Sequence, residues 1–102
     1  MLYHVIFHTD HQALGFDEQR GRIIDAEVQR AVEVQQEGRL MGFWARADLG
    51  GAIFILDTES HEKLMLELRS LPIFPFLQSI DVMPVVTHPR FPEFGIGRKP
   101  GA

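Results

Sequence analysis

Apolar residues recur along the chain in short blocks whose spacing changes from one block to the next. Residues 2–8 and 52–58 are short blocks rich in β-branched and aromatic side chains, which is typical of strands. Residues 17–37 repeat apolar positions at helical spacing and stop at Gly38, a common residue just beyond a helix end. The predicted elements are strand 2–8, loop 9–17, helix 17–37, strand 39–47, turn 48–51, strand 52–58, a second helix capped by Ser60, and strand 79–87.

The order β-α-β-β-α-β predicts an α+β fold of the ferredoxin-like type over residues 1–89, an antiparallel sheet with both helices on one face. The second helix cannot run through Pro72 and Pro75, because proline lacks the N–H that a helix needs. Pro84 lacks a ladder donor for the same reason, so the last strand is predicted to lie at a sheet edge or to carry a bulge. Residues 90–102 are predicted to be an extended tail. The apolar stripe of the second helix consists of Leu64, Leu68 and Leu71.

Both faces of the predicted sheet are apolar. Strict alternation sets Leu40 and Trp44 against Met41 and Phe43 in strand 39–47, and Phe54 and Leu56 against Ile53 and Ile55 in strand 52–58. A lone domain of this type would expose one face of its sheet to water, and its strands would alternate regularly between apolar and polar residues. The open face is therefore predicted to be buried by a partner subunit of a homo-oligomer. The alternative is a lone domain whose tail folds over that face.

Composition narrows the class of protein further. The chain has 102 residues and a net charge of −4, so it shows none of the basic excess typical of nucleic-acid binding. The absence of cysteine excludes disulfides, thiolate metal sites and thiol catalysis. No apolar run approaches the roughly 20 residues that a membrane span needs, and the start of the chain does not read as a signal peptide. A cytoplasmic protein without nucleic-acid or membrane partners is predicted.

One carboxylate interrupts the apolar stripe of the first predicted helix. At about 100° per residue, Glu27 falls about 20° from Val34 and about 40° from Ala31, so it faces apolar material. Burial disfavours the charged form and raises the pKa of a carboxylate. A carboxylate with a raised pKa is better suited to moving protons to and from carbon. Glu27 is therefore the candidate catalytic residue.

A structural role for Glu27 is also open at this stage. Arg20 lies on the same side of the helix, about 20° away by the same spacing. It can form a buried ion pair with Glu27, or it can hold an anionic substrate. Glu27 can also lie at the edge of the helix with its carboxylate in solvent.

Three histidines near the start of the chain do not predict a metal site. His4 and His8 share one face of the first strand, and His11 follows in the loop. Residues four apart on a strand are roughly 13 Å apart, too far to bind one ion without a bend. We expect one histidine to line a cavity and the others to be exposed, and we expect no metal and no cofactor.

Three stretches of the sequence resemble the muconolactone isomerase family. They are "MLYHV" at the start, "EGRLMGFW" in the middle and "LPIFPFLQSIDVMPVVTHP" near the end, of which the last is the most specific. The resemblance implies a small ferredoxin-like protein of bacterial aromatic catabolism that assembles into dimer-based decamers. It implies a cofactor-free shift of a double bond within an unsaturated lactone, and close relatives eliminate chloride from a chlorinated lactone.

The resemblance also implies site residues. The position of Glu27 is similar to that of the family's proton-transfer glutamate, and His4 and Trp44 match its opening and its central tryptophan. Arg20 and Arg46 are candidates for binding the substrate's carboxylate. His4, His8, Trp44 and the backbone amides near residues 50–51 are candidates for stabilising the enolate oxygen, as such a reaction requires.

The chain departs from the family pattern on the hairpin and on the first helix. The family's tyrosine and asparagine after the tryptophan align with Gly50 and Ala52, which carry no side-chain donor. A basic residue before the glutamate is replaced by Ile24, and the arginine after the tryptophan by Ala45, with Arg46 next to it. A changed substrate, a non-catalytic ligand-binding or assembly role, and a cofactor-free oxygenase or lyase therefore remain as alternatives.

Overall fold

The computed structural model describes residues 1–90, and it confirms the ferredoxin-like α+β fold. Its elements are β1 (Leu2–Thr9), α1 (His11–Leu14), α2 (Asp17–Gln36), β2 (Leu40–Ala45), β3 (Ala52–Asp57), α3 (His61–Arg69), a 3₁₀ turn (Phe74–Phe76) and β4 (Leu77–Val85). The strands form one sheet in the order β2-β3-β1-β4, and every neighbouring pair is antiparallel. The predicted tail lies, apart from Arg90, outside the described residues.

Two segments differ from the sequence prediction. Residues 9–17 were expected to be a loop, but they contain the one-turn helix α1, whose first amides are capped when Asp10 accepts a hydrogen bond from Ala13 N at 3.1 Å. Strand β4 begins at Leu77, two residues before the predicted start, because the 3₁₀ turn leads straight into it. Helix α3 begins as predicted, with the Ser60 side chain accepting from Lys63 N.

The prediction that Pro84 lies on an edge strand is confirmed. Strand β4 is the last strand of the sheet and pairs only with β1 within residues 1–90. Pro84 is opposite Tyr3 in that pairing. An edge position tolerates a residue without an N–H donor, because one side of the strand has no ladder to complete.

The core lies between the sheet and the long helices. One face of β1 points Tyr3, Val5 and Phe7 into it, and all three are buried. The members of the core cluster are Tyr3, Val5, Phe7, Leu14, Val34, Phe54, Leu56, Leu64, Leu68, Leu71 and Ile73. Strand β1 can fill the centre of this layer because it is hydrogen-bonded on both sides, to β3 and to β4.

The side chains of strand β2 do not alternate strictly between the two faces of the sheet, as the sequence had predicted they would. The pairing of β2 with β3 shifts register between Leu40 and Gly42. A bulge of this kind breaks the two-residue alternation of side chains. Leu40 and Phe43 are therefore both opposite helix-facing residues of β3, whereas Trp44 is opposite Ile53 on the other face. The expectation that Leu40 and Trp44 share a side was wrong for this reason.

The face of the sheet away from the helices is apolar and partly exposed. Trp44 is 51% exposed and Met83 is 63% exposed on this face, and Ile53 is half-buried. We call it the open face; its polar members include His4, His8 and Asp81. Its burial by a partner subunit stays a prediction. None of the helices in residues 1–90 is long and apolar enough to cross a membrane.

Candidate active site

A cavity of about 620 Å³ opens between helix α2, the end of β1 and the β2–β3 hairpin. Most of its lining is apolar, and its charged lining residues come from helix α2 and from the β2–β3 hairpin. It is lined by Phe7, Thr9, His11, Leu14, Phe16, Arg20, Ile24, Glu27, Val28, Phe43, Ala45, Arg46, Leu49, Gly51, Ala52 and Ile73. A concave, mainly apolar site with a few converging polar groups is the usual form of a small-molecule site.

Glu27 projects from α2 into the floor of this cavity and is only 6% exposed. Its Oε2 accepts a hydrogen bond from the backbone N–H of Ile73 at 3.1 Å. Burial raises the pKa of the Glu27 carboxyl above its ordinary value of 4.5, while the Ile73 amide and the charge of Arg30 act in the opposite direction. Desolvation is the largest of these effects, so the carboxyl holds a proton more readily than an exposed glutamate does.

The turn after α3 supplies the only hydrogen bond recorded for the Glu27 carboxyl within residues 1–90. Pro72 stops the helical hydrogen bonding, and the amide of Ile73 that follows is directed at Glu27 Oε2. Glu27 Oε1 accepts no bond from the described residues, and no fully buried side-chain oxygen or nitrogen there lacks a partner. Oε1 is therefore not fully buried, and Glu27 lines the cavity.

The ion pair between Glu27 and Arg20 that the sequence left open is not formed. No ion pair within residues 1–90 involves Glu27. Arg20 instead contacts His11, with Arg20 Nη1 at 3.2 Å from His11 Nδ1. Since arginine has only donors, His11 Nδ1 accepts this hydrogen bond. Most of the Arg20 guanidinium therefore remains available to a ligand in the cavity.

The second cation of the cavity is Arg46, which lies just after β2. Its Nη1 donates to Phe7 O at 3.2 Å and lies 2.9 Å from His8 Nδ1, and its Nη2 donates to Asp48 at 2.5 Å. Together with the amide of Gly50, Arg46 holds the pKa of the Asp48 carboxyl below its ordinary value. These contacts use three of the five N–H donors that a guanidinium carries, so two remain.

The β2–β3 hairpin forms the wall of the cavity on which the family resemblance places a polar pair. Here Gly51 and Ala52 line that wall, and the amide of Gly50 is already donated to Asp48. Gly51 has φ of +149°, and a Cβ there would lie 2.2 Å from Phe7 O. The close approach of the hairpin to β1 thus requires glycine at this position, and neither Gly51 nor Ala52 supplies a side-chain donor.

The structure brings only some of the predicted site residues together. Glu27, Arg20 and Arg46 line one cavity. His4 and Trp44 lie on the open face, so this chain's own cavity is built without them, and their role in substrate binding stays a prediction. His8 also lies on the open face, but it reaches the cavity indirectly through Arg46.

Thr9 was not considered in the sequence analysis, and His11 is the one of the three histidines that lines the cavity, although it was not named as a site residue. Thr9 ends β1 and His11 begins α1, and both line the cavity. Both residues lie within the predicted loop 9–17, and loops beside a rigid sheet often carry functional groups, so their position was a signal that could have identified them. In residues 1–90, no cluster of three or more histidine, aspartate or glutamate side chains is arranged to hold a metal ion.

Comparisons with known proteins agree on one family. The family model for muconolactone delta-isomerase matches residues 1–90. A muconolactone delta-isomerase of Acinetobacter baylyi is 32% identical over 72 residues, which cover 71% of this chain and 74% of that protein. The crystal structure of a muconolactone isomerase superposes with a TM-score of 0.76 at 27% identity, covering 87% of this chain and 92% of the other.

A second solved structure shows how widely this fold is used. It is a 5-chloro-2-hydroxyhydroquinone dehydrochlorinase of Burkholderia phenoliruptrix, in complex with 2,5-dihydroxybenzoquinone. Its TM-score is 0.70 at 12% identity, covering 86% of this chain and 96% of the other. At that identity the likeness is one of fold alone, and the same architecture therefore hosts more than one activity. The family model and the curated relative carry the assignment: the chain belongs to the muconolactone delta-isomerase family.

Proposed function

We propose that this protein is a cofactor-free isomerase that shifts a carbon–carbon double bond within a small unsaturated lactone bearing a carboxylate. The observation that carries the proposal is Glu27, a buried carboxylate without an ion-pair partner within residues 1–90. It opens on an apolar cavity that also contains Arg20 and Arg46. Family membership supports the same reaction type.

Glu27 acts as the proton carrier in this proposal. Its free Oε1 removes a proton from a carbon that is alpha or vinylogous to the lactone carbonyl. The electron pair moves into the conjugated system, and negative charge develops on the carbonyl oxygen. The protonated Glu27 then returns the proton to another carbon on the same face. A raised pKa favours both steps, because the neutral acid is an accessible intermediate state.

The two arginines hold the substrate's carboxylate in this proposal. Within residues 1–90, the Arg20 side chain makes one hydrogen bond, and Arg46 retains two free donors. A guanidinium binds a carboxylate through charge-assisted, often bidentate hydrogen bonds, which fix the ligand's orientation as well as its position. For the enolate oxygen, the side-chain donors that line the cavity are the Thr9 hydroxyl, the His11 ring and the arginines.

The test of the reaction uses muconolactone with the purified protein in D₂O, followed by proton NMR. We expect the double-bond isomer to form, with part of the original hydrogen retained at the new carbon, because one carboxylate carries it. Arg20→Gln and Arg46→Gln should each raise KM by about tenfold, since each removes a charge-assisted hydrogen bond. No conversion by the wild-type protein would contradict the proposal for this substrate.

A lyase is the second candidate, since the same fold includes a dehydrochlorinase. The hairpin wall favours testing it, because Ala52 places only a methyl group where the family resemblance has a polar side chain. A chlorinated muconolactone distinguishes the two activities: release of chloride without isomerisation of muconolactone would favour the lyase. If the protein catalyses neither reaction, the result would favour a non-catalytic or oxygenase role.

We also propose that a second copy of the chain covers the open face. Trp44, Met83 and Ile53 give this face large apolar groups in partial contact with water. Contiguous exposed apolar surface marks interaction sites in otherwise ordinary domains. Light scattering at micromolar concentration should show at least a dimer, and Met83→Glu should weaken it. A well-folded monomer would contradict this proposal.

A further inference from the structure

Two polar side chains of the open face, which the proposed reaction does not involve, form a hydrogen-bonded series that ends at a residue of the cavity. His8 Nε2 lies 2.7 Å from Asp81 Oδ2, and His8 Nδ1 lies 2.9 Å from Arg46 Nη1. His8 and Asp81 do not line the cavity, whereas Arg46 does. Side chains on one face of the sheet are thus connected to a guanidinium that lines a cavity on the other side.

The chemistry of the three groups fixes the direction of both hydrogen bonds. Arg46 can only donate, so His8 Nδ1 must be unprotonated and accept. The Asp81 carboxylate can only accept, so His8 Nε2 must carry the proton and donate. Both contacts are met at once only by neutral His8 with its proton on Nε2. Asp81 therefore selects the tautomer that offers Arg46 an acceptor.

We propose that His8 and Asp81 are positioning residues that hold the Arg46 guanidinium in its orientation toward the cavity. The proposal rests on the proposed function, in which Arg46 binds the substrate's carboxylate. Arg46 has long, flexible side-chain bonds and is only 19% exposed, so its orientation depends on the acceptors around it. Those acceptors are Phe7 O, His8 Nδ1 and Asp48.

The acceptors of Arg46 lie on two different elements, and this explains why His8 matters for the orientation of the guanidinium. Asp48 lies two residues from Arg46 on the same hairpin, so its contact does not fix the guanidinium relative to the rest of the sheet. Phe7 O and His8 Nδ1 belong to β1, an inner strand that is paired on both sides. Asp81 adds an anchor on β4, and its contact holds the His8 ring from the other side. Groups that orient a ligand-binding side chain in this way tune its affinity without touching the ligand.

Three variants separate this role from a merely structural one. His8→Leu removes both ring nitrogens, and His8→Asn retains a polar atom near the Nδ1 position. Asp81→Asn removes the charge that selects the tautomer. The matched control is Asp57→Asn, which also removes one negative charge from an exposed aspartate of the sheet but lies next to the N-terminus, away from Arg46.

With muconolactone as the probe, His8→Leu and Asp81→Asn should raise KM about threefold to tenfold and change kcat less than twofold, as expected for the loss of one hydrogen bond. His8→Asn should recover most of the loss, and Asp57→Asn should leave KM unchanged. A KM unchanged in His8→Leu, with Arg46→Gln still raising it, would overturn the positioning role and leave the proposed function intact. An unchanged KM in Arg46→Gln would remove Arg46 from substrate binding and overturn the positioning role, while the measured turnover would leave the isomerase activity itself standing.

A second measurement does not depend on turnover. Nitrogen-15 NMR of the wild-type protein at neutral pH reports the protonation of each His8 ring nitrogen, and solvent exchange reports on the Arg46 side-chain N–H groups. We expect a proton on Nε2 alone, and faster Arg46 exchange in His8→Leu and Asp81→Asn than in Asp57→Asn. A proton on Nδ1, or equal exchange in all variants, would overturn the proposal even if muconolactone is not a substrate.

Discussion

Glu27 and Glu67 are two buried carboxylates with opposite surroundings. Glu67 lies on α3, is 9% exposed, and is held between Arg30 at 3.0 Å and Arg39 at 2.7 Å. Glu27 lies on α2, is 6% exposed, and has one backbone amide and no ion-pair partner within residues 1–90. A buried charge that is fully paired supports structure, whereas one that is left short of partners has its protonation displaced.

The contrast shows that burial alone does not identify a catalytic carboxylate. Both glutamates lie beside apolar positions of their helices; by the same spacing Glu67 falls about 60° from Leu64, and Glu27 about 40° from Ala31. The difference lies in the tertiary contacts. Glu67 forms ion pairs with two guanidinium groups, whereas Glu27 lines a cavity. Perturbed protonation inside a cleft is the more informative sign of function.

The largest expected effect is that of Glu27→Gln on turnover. Glutamine keeps the size of the side chain and can still accept the Ile73 hydrogen bond, but it cannot take a proton from carbon. Isomerisation of muconolactone should fall by about 10²-fold or more, with KM little changed. Glu18→Gln, at an exposed position in the first turn of the same helix, is the matched control and should retain full activity. Full activity in Glu27→Gln would exclude it as the base.

The next largest effect is that of Glu67→Gln on stability. The change leaves Arg30 and Arg39 facing a neutral amide, so the free energy of unfolding should fall by roughly 1–3 kcal/mol. Urea unfolding measures this difference. Glu33→Gln removes the exposed partner of the same Arg30, and it should change stability by less than about 1 kcal/mol. A Glu67→Gln variant as stable as wild type would mean that the two carboxylates are not energetically distinct.

The smallest effect is the pH dependence of stability that Glu27 contributes. Its pKa is raised in the folded protein, so the folded state binds the proton more tightly than the unfolded state does. The resulting stabilisation is present in full below the ordinary pKa of 4.5 and is lost as pH rises through the raised value. Relative to wild type, Glu27→Gln should therefore become more stable as pH increases across this range. Urea unfolding at a series of pH values measures the trend, and a decrease would contradict the assigned direction.

Much of the fold was predictable because it depends on local patterns. Helical spacing, the Ser60 cap and the stop at Gly38 place the two long helices, and Pro84 correctly indicates an edge strand. The bulge in β2 was not predictable, because it depends on pairing with β3 and not on the spacing within β2. That shift moved Trp44 to the opposite face from the predicted partner Leu40.

The candidate site was predictable only in part. The burial of Glu27 followed from its place in the helix stripe, since helical geometry fixes which residues face the core. The partner of Arg20 was predicted less well, because His11 belongs to a short helix that the sequence showed as loop. Strand alternation directs His8 to the open face, where it contacts Asp81 and Arg46, and its contact with substrate stays a prediction.

By itself, the sequence determined the α+β class, the ferredoxin-like order of elements, the family and the presence of a carboxylate in an apolar helix face. The tertiary structure decided which carboxylate is paired and which is left open. The Ile73 amide is 46 residues from Glu27 along the chain, and Arg39 is 28 residues from Glu67. Contacts at such separations arise only when the helices pack on the sheet, and local spacing carries no information about them.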